Sequence, residues 1–312
     1  YCYRGGQNMN KEKLLPILAA ITYSTIFGLS FVFSKIGLEV MTPMELISYR
    51  FLLAALVMTT LKLLKIINIS FKGRDIKVLI FASFFQPVLY FIFEILGVNI
   101  TSTSEAGLTL SLIPVIVAIF SVIFLKEKLV KEQWIFIGLS VTGVILINIM
   151  KGKSNDAQNY LGIIFLLLAV LSAGFYNIAA KKASAYFTPI ETTYVMMWTA
   201  AISFNIILIF INLKNGTMGN YFKGINNIKA IIPLLYLGIL SSIIAFFMVN
   251  YSISRMTVTQ SAIFGNISTV VSILAGVLVL KEDFFWYDFI GAVMIIAGVW
   301  GTVYFGWKRL EE

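Results

Sequence analysis

Three polar side chains recur at four-residue steps inside one apolar stretch: Gln86, Tyr90 and Glu94. That step sets an amide, a phenol and a carboxylate on one face of a helix. Such a face can hydrogen-bond a polar ligand and attract an ammonium group. Pro87 removes a backbone hydrogen bond in the same stretch and predicts a kink there. Tyr176, Asn177, Asn250, Gln260 and Asn266 are polar groups in other apolar runs, with Thr109, Ser111 and Pro114 as weaker ones. Trp198 and Phe246 are candidates for apolar or cation-binding walls. Each has a packing alternative, because Ser and Thr bond their own helix and Asn or Gln join neighbouring helices.

Enzyme chemistry finds little to use. The chain has no histidine, and its one cysteine, Cys2, lies at the N-terminal edge. Asp occurs only at 75, 156, 283 and 288, in loops or at the ends of apolar runs. The usual hydrolase and metal constellations are therefore missing, and no cofactor is expected. The neighbouring pairs Ser34-Lys35 and Lys182/Ser184 do not make a dyad on a helix. "GKS" at Gly152–Ser154 lacks the earlier glycine of a phosphate loop.

Composition says what positions the polar groups. Hydrophobic residues make up 59% of the 312 and charged residues 12%, with a mean hydropathy of +0.90. A water-facing surface needs more charge than that. A spanning helix needs roughly 20 mostly apolar residues, and ten such runs appear, near 14–35, 43–66, 76–97, 103–125, 132–150, 160–183, 190–213, 230–253, 257–280 and 286–307. They lack strand alternation, so the expectation is an all-α integral membrane protein of ten transmembrane helices. Residues 1–8 are set apart as a tail, with Met9 reading as a natural start; the apolar run after it continues into a full span and reads as a helix, not a removable signal.

Of the 24 Lys and Arg, sixteen fall on the side of the N-terminus, seven on the other, and Arg50 lies within a span. This imbalance predicts a cell-membrane protein with both termini cytoplasmic. It also accounts for the net charge of +9 by attraction to anionic lipid, without nucleic acid.

The chain also reads as written twice. "TPME" at Thr42–Glu45 recurs as "TPIE" at Thr188–Glu191, and the same offset of 146 carries Gly28 onto Gly174 and Lys35 onto Lys181. "LKE" at Leu125–Glu127 recurs at Leu280–Glu282, and that offset of 155 carries Gly143 onto Gly298. Each half, 9–150 and 151–312, holds five spans. An odd number turns the second copy upside down, giving two inverted-topology five-helix repeats. Inverted repeats are the sequence sign of an alternating-access carrier with its substrate near the midplane.

The stretches Phe27–Leu56, Ser111–Leu129 and the second-half "VVSILAGVLVLKEDF" resemble the paired domains of EamA-type transporters of the drug/metabolite superfamily. The resemblance covers Met9 to the C-terminus. It implies a ten-helix carrier, commonly an exporter of amino acids or other small metabolites. The halves differ where chemistry would sit, since Arg50 aligns with Met196 and Pro114 with Thr269.

The resulting expectation is a secondary carrier, with a membrane channel or a membrane-embedded enzyme as the alternative reading. Its site would be lined by spans one, three, four, six, eight and nine, its partners a small-molecule substrate, membrane lipid, and protons or a counter-substrate. Substrate-binding candidates are Gln86, Tyr90, Glu94, Tyr176, Asn177, Phe246, Asn250 and Asn266. At 1.5 Å per residue Glu94 lies about 27 Å along its span and Arg50 about 10 Å below Pro43, both near the far end. Two readings stay open: an Arg50–Glu94 bridge, with Lys35 a competing partner, that orders the bundle, or a carboxylate that gates or attracts an ammonium group. Lys126-Glu127 and Lys281-Glu282 stand at helix boundaries as caps or gate charges.

Overall fold

A computed structural model describes residues 5–98, 109–151, 160–221, 224–225, 227–281 and 283–311. Long apolar runs with no water to satisfy their backbone become helices, and ten spans follow the ten predicted runs. They are α1 (Gly5–Leu38), α2 (Pro43–Leu63), α3 (Lys77–Ser83, a π-helical stretch Phe84–Leu89, then Tyr90–Val98), α4 (Ile113–Leu125) and α5 (Lys131–Lys151). The rest are α6 (Tyr160–Ala183), α7 (Pro189–Lys214), α8 (Ile228–Leu235, a π-helical stretch Tyr236–Ala245, Phe246–Arg255), α9 (Val258–Ile263, a 3₁₀ turn Phe264–Asn266, Ile267–Leu280) and α10 (Trp286–Glu311). Among the described residues, nine of these are long and apolar enough to cross a membrane, and α4 is a shorter apolar helix. The start expected for the fourth span, residues 103–108, lies outside the described residues, as do residues 1–4 of the expected tail; residues 5–8 continue α1 as backbone helix.

Local chemistry sets where the helices begin and end. Thr42 and Thr188 cap α2 and α7, each with a proline at the first turn and a glutamate closing a capping box. The carboxylates of Glu45 and Glu191 accept the Thr42 and Thr188 amides at 2.8 and 2.9 Å. Thr257 and Gln260 form a third box at the start of α9. α4 and α9 both end on a lysine in the left-handed region, Lys126 at φ 56° and Lys281 at φ 59°. The boundary lysines read from sequence are thus helix C-caps, and Glu282 lies outside the described residues.

Within the spans, Ser30 and Ser83 each donate to the carbonyl four residues back, so their hydroxyls need no outside partner. Several apolar cores result, of which two are the largest among the described residues. One joins α2, α3, α6, α7 and α8 around Phe51, Met58, Met196 and Phe204; the other joins α1, α4, α5, α8, α9 and α10 around Tyr23, Ile137, Ile263 and Ile295. Phe27 packs against both. Large apolar side chains such as Phe31, Ile135, Phe210 and Trp300 stay outward, where lipid is their solvent.

The helices pack in specific pairs. α2 lies on α7 and α5 on α10; α1 packs on α8 and α9, and α6 packs on α3 and α4. At Gly28 a Cβ would meet Val271, and at Gly174 it would meet Ile116. Val271 and Ile116 differ by the same 155 residues that relate α4 to α9.

Candidate functional site

Arg50 stands on the second turn of α2 and is 7% exposed. A charge at that depth needs partners. Its Nε donates to Ser242 Oγ at 3.1 Å and its second guanidinium nitrogen to Ser241 Oγ at 3.0 Å. Both hydroxyls belong to the π-helical stretch of α8, where an irregular turn is a common mark of function. The guanidinium carbon also lies 5.1 Å from the Phe51 ring centre and 5.6 Å from that of Phe91 on α3, so aromatic faces wall the cation. An arginine has five N–H donors, and two are engaged here.

Across from it, α3 carries the predicted face. Gln86 has non-helical backbone angles (φ −144°, ψ 123°) and precedes a cis bond to Pro87, so the expected break is present in the π-helical stretch. Gln86, Tyr90 and Glu94 are all half-buried. Tyr90 donates its hydroxyl to Glu94 Oε1 at 3.1 Å. The Glu94 carboxylate acts on Arg50 through space. Among the described residues the ion pair within 4.0 Å is Arg74–Glu191, so the direct Arg50–Glu94 bridge considered from sequence is not made. The two serines of α8 hold the guanidinium instead.

The other candidates separate by what they touch. Tyr176 and Asn250 meet: the Tyr176 hydroxyl donates to Asn250 Oδ1 at 2.7 Å, and Asn250 Nδ2 donates to Thr193 Oγ1 at 3.1 Å. Met196, aligned with Arg50 in the second half, packs its sulfur against both. This knot joins α6, α7 and α8 and is fully buried. Asn177 donates to the Ala173 carbonyl of its own helix. Asn266 reaches Ser140 Oγ at 3.0 Å and ties α9 to α5. Phe246 is 2% exposed and packs edge-on against Phe27. Gln260 donates to the Val303 carbonyl of α10. Trp198 faces an outward groove and donates to Thr59 Oγ1 at 2.9 Å. Lys35 lies exposed in the last turn of α1. Packing contacts thus occupy Tyr176, Asn177, Phe246, Asn250 and Asn266, whereas the half-buried face of α3 beside Arg50 keeps polar groups accessible.

Sequence reasoning missed two clamps at the opposite end of the bundle. Arg74, in the α2–α3 loop, donates to both Glu191 oxygens at 2.5 and 3.0 Å and to the Tyr186 carbonyl at 2.7 Å. It also lies 4.9 Å from the Phe187 ring. In the other clamp, Lys181 Nζ donates to the Ile253 and Met256 carbonyls at 2.8 Å each. Glu127 accepts from the Val258 amide at 3.0 Å and from Thr259 Oγ1 at 3.2 Å. α4 and α6 thereby hold the turn between α8 and α9. The signals were present as loop charges and as the repeated "TPIE", but only folding says which charge meets which turn. Arg74→Ala is expected to cost about 1–3 kcal/mol, because the Glu191 carboxylate is 5% exposed and loses its charged donor. The check is the unfolding midpoint in detergent, with Arg74→Lys retaining part of the difference and an unchanged midpoint refuting the clamp.

The chain as a whole has known relatives. The EamA-like transporter family model matches residues 14–149 and 160–304. An uncharacterized transporter of Bacillus subtilis (strain 168), YcxC, is 35% identical over 94% of this chain and 95% of its own. The "Probable amino-acid metabolite efflux pump" of Escherichia coli (strain K12) is 24% identical over 96% of this chain and 97% of its own. One solved crystal structure shares the fold with a TM-score of 0.73, at 17% identity, over 94% of this chain and 98% of that one. The chain is a membrane transporter belonging to the EamA-like transporter family.

Proposed function

We propose that this transporter is a secondary carrier of the cell membrane that exports amino acids or similar small metabolites by alternating access. The observation that carries this reading is that the same devices occur twice, in halves of five spans each. The proline-capped boxes at Thr42 and Thr188, the left-handed lysine caps at Lys126 and Lys281, and the Gly28–Val271 and Gly174–Ile116 contacts recur in order. The family model likewise matches one segment in each half. Five spans per copy invert the second copy, so 9–150 and 151–312 give each face of the membrane an equivalent set of helix ends. With the Lys- and Arg-rich ends inside, both termini are cytoplasmic.

The substrate site lies where α2, α3 and α8 meet. Arg50 is suited to a substrate carboxylate and Glu94, steadied by Tyr90, to an ammonium group. A zwitterion offers both charges, which agrees with the amino-acid metabolites named for the Escherichia coli relative. A proton or counter-substrate drives the cycle.

The test is counterflow. Vesicles loaded with unlabelled amino acid are expected to accumulate the labelled one transiently, with the rate raised by substrate on the far side. A channel gives no such stimulation, and flux that ignores the far-side substrate overturns the carrier reading.

A further inference from the structure

An apolar groove of about 430 Å³ opens on the outer flank of the bundle between the start of α3 and the middle of α7. Phe71, Ile76, Ile80, Trp198, Thr199 and Ile202 are among its walls. Ile80 and Ile202 are 46% and 54% exposed, so the groove faces lipid and not the bundle interior. Its floor is fixed: Thr59 Oγ1 accepts from Trp198 Nε1 and lies 3.4 Å from the Tyr194 hydroxyl. One end is closed by the α2–α3 loop, which Arg74 pins to Glu191.

At that end basic side chains outnumber acidic ones. Lys62 Nζ stands 5.2 Å from the ring centre of Tyr194, itself a wall of the groove. Lys72 and Lys77 flank the wall residues Phe71 and Ile76, are exposed, and pair with no carboxylate among the described residues. The acids nearby are Asp75, which accepts the Lys77 amide, and Glu191, already neutralised by Arg74. A lipid-facing slot with a cationic end fits an amphiphile with an acyl chain and an anionic head. Neither a substrate of the central site nor a polar peptide matches walls of this kind.

We propose that this groove is a binding site for an anionic phospholipid, with an acyl chain along Ile80, Trp198 and Ile202 and its phosphate held by Lys62, Lys72 and Lys77. The lipid bridges α3 and α7, one helix from each half of the chain, and so ties the flank of one half to the other. The site is independent of the transport reading, since it shares no residue with the Arg50 region.

Trp198 reports on the site directly. The full chain is reconstituted in phosphatidylcholine vesicles containing a small fraction of lipid brominated on its acyl chain, either phosphatidylglycerol or phosphatidylcholine. The quenching of interest is the part that disappears in Trp198→Phe. That part is expected to favour brominated phosphatidylglycerol by about fivefold or more, because basic residues near the head group attract anionic lipid. Raising the salt concentration in the wild type should shrink the preference, and Lys62→Gln/Lys77→Gln should remove most of it. Equal quenching by the two lipids overturns the proposal, as does a preference untouched by both salt and the lysine changes. Stronger quenching by a brominated free fatty acid than by brominated phosphatidylglycerol overturns the choice of a phospholipid.

Discussion

An Arg50→Gln variant is expected to fold, to reach the membrane and to move the transporter's substrate about 10- to 100-fold more slowly. The magnitude follows from a hydrogen bond to a charged group, about 1.5–3 kcal/mol, lost from substrate binding. Folding is spared because the change removes a buried charge, while the half-buried Glu94 carboxylate keeps the Tyr90 hydroxyl as its donor. Ser242 keeps a partner, since its hydroxyl already donates to the Leu237 carbonyl at 2.8 Å. Arg50→Lys restores only part of the rate, because an ammonium lacks the planar fork that meets a carboxylate with two bonds. Glu94→Gln is expected to slow transport as well, through the ammonium end, and to change its dependence on pH if the carboxylate carries a proton during the cycle. Initial rates in reconstituted vesicles are the measurement, with unfolding midpoints beside them. Substrate amides separate binding from bundle order. An analogue without the carboxylate should be transported poorly by the wild type and suffer little further loss in Arg50→Gln. A variant with wild-type rates and a lowered midpoint would make Arg50 a purely structural cation.

Why Arg50 needed the fold, and the spans did not, is a matter of which quantities a sequence holds. A run of apolar residues fixes that a helix forms and roughly where it ends, because lipid leaves the backbone no other choice. Thr42-Pro43 and Thr188-Pro189 add the first turns of α2 and α7, since capping box and proline act locally. Position along a helix follows from rise per residue, so sequence alone sets Arg50 and Glu94 near the ends of their helices. Rotation does not follow. A helix apolar all round carries no stripe to say which side faces inward, and nothing in α2 announced that Arg50 meets Ser241 and Ser242, 191 and 192 residues later. The same blindness made Tyr176 and Asn250 look like ligand groups, when each is the other's partner. Arg74 read as one more cytoplasmic charge, because only the folded loop brings it to Glu191. Pro87 announced the irregular turn in α3, whereas the π-helical stretch of α8 that supplies the two serines had no comparable signal.

The α5–α10 contact gives the largest expected effect on stability when both of its α10 glycines are changed, and it has a built-in control. At Gly291 an added methyl would stand 2.8 Å from the Gly143 carbonyl oxygen; at Gly143 it would stand 2.7 Å from the Gly291 carbonyl oxygen. At Gly298 it would stand 2.6 Å from the Phe136 carbonyl oxygen. Backbone atoms cannot swing aside as a side-chain tip does, so the helices must part. Lipid offers no hydrophobic force to draw them back, and close packing is what holds spans together. Gly291→Ala is therefore expected to destabilise by about 1–3 kcal/mol, the usual cost of overpacking. Gly298→Ala should do the same. The two residues are about 10 Å apart along α10, far enough for their costs to add approximately. Gly138 on α5 has nothing within 4 Å of an added methyl. There alanine should stabilise by up to about 1 kcal/mol, through helix propensity alone. Opposite signs at Gly291 and Gly138, read as unfolding midpoints of the purified variants, establish that α5 and α10 touch through glycine backbones. Stabilisation at both positions would mean that the two helices are not in that contact. The bundle would then be held on this flank by side chains such as Phe136 and Ile147, and Phe136→Ala would become the costly change.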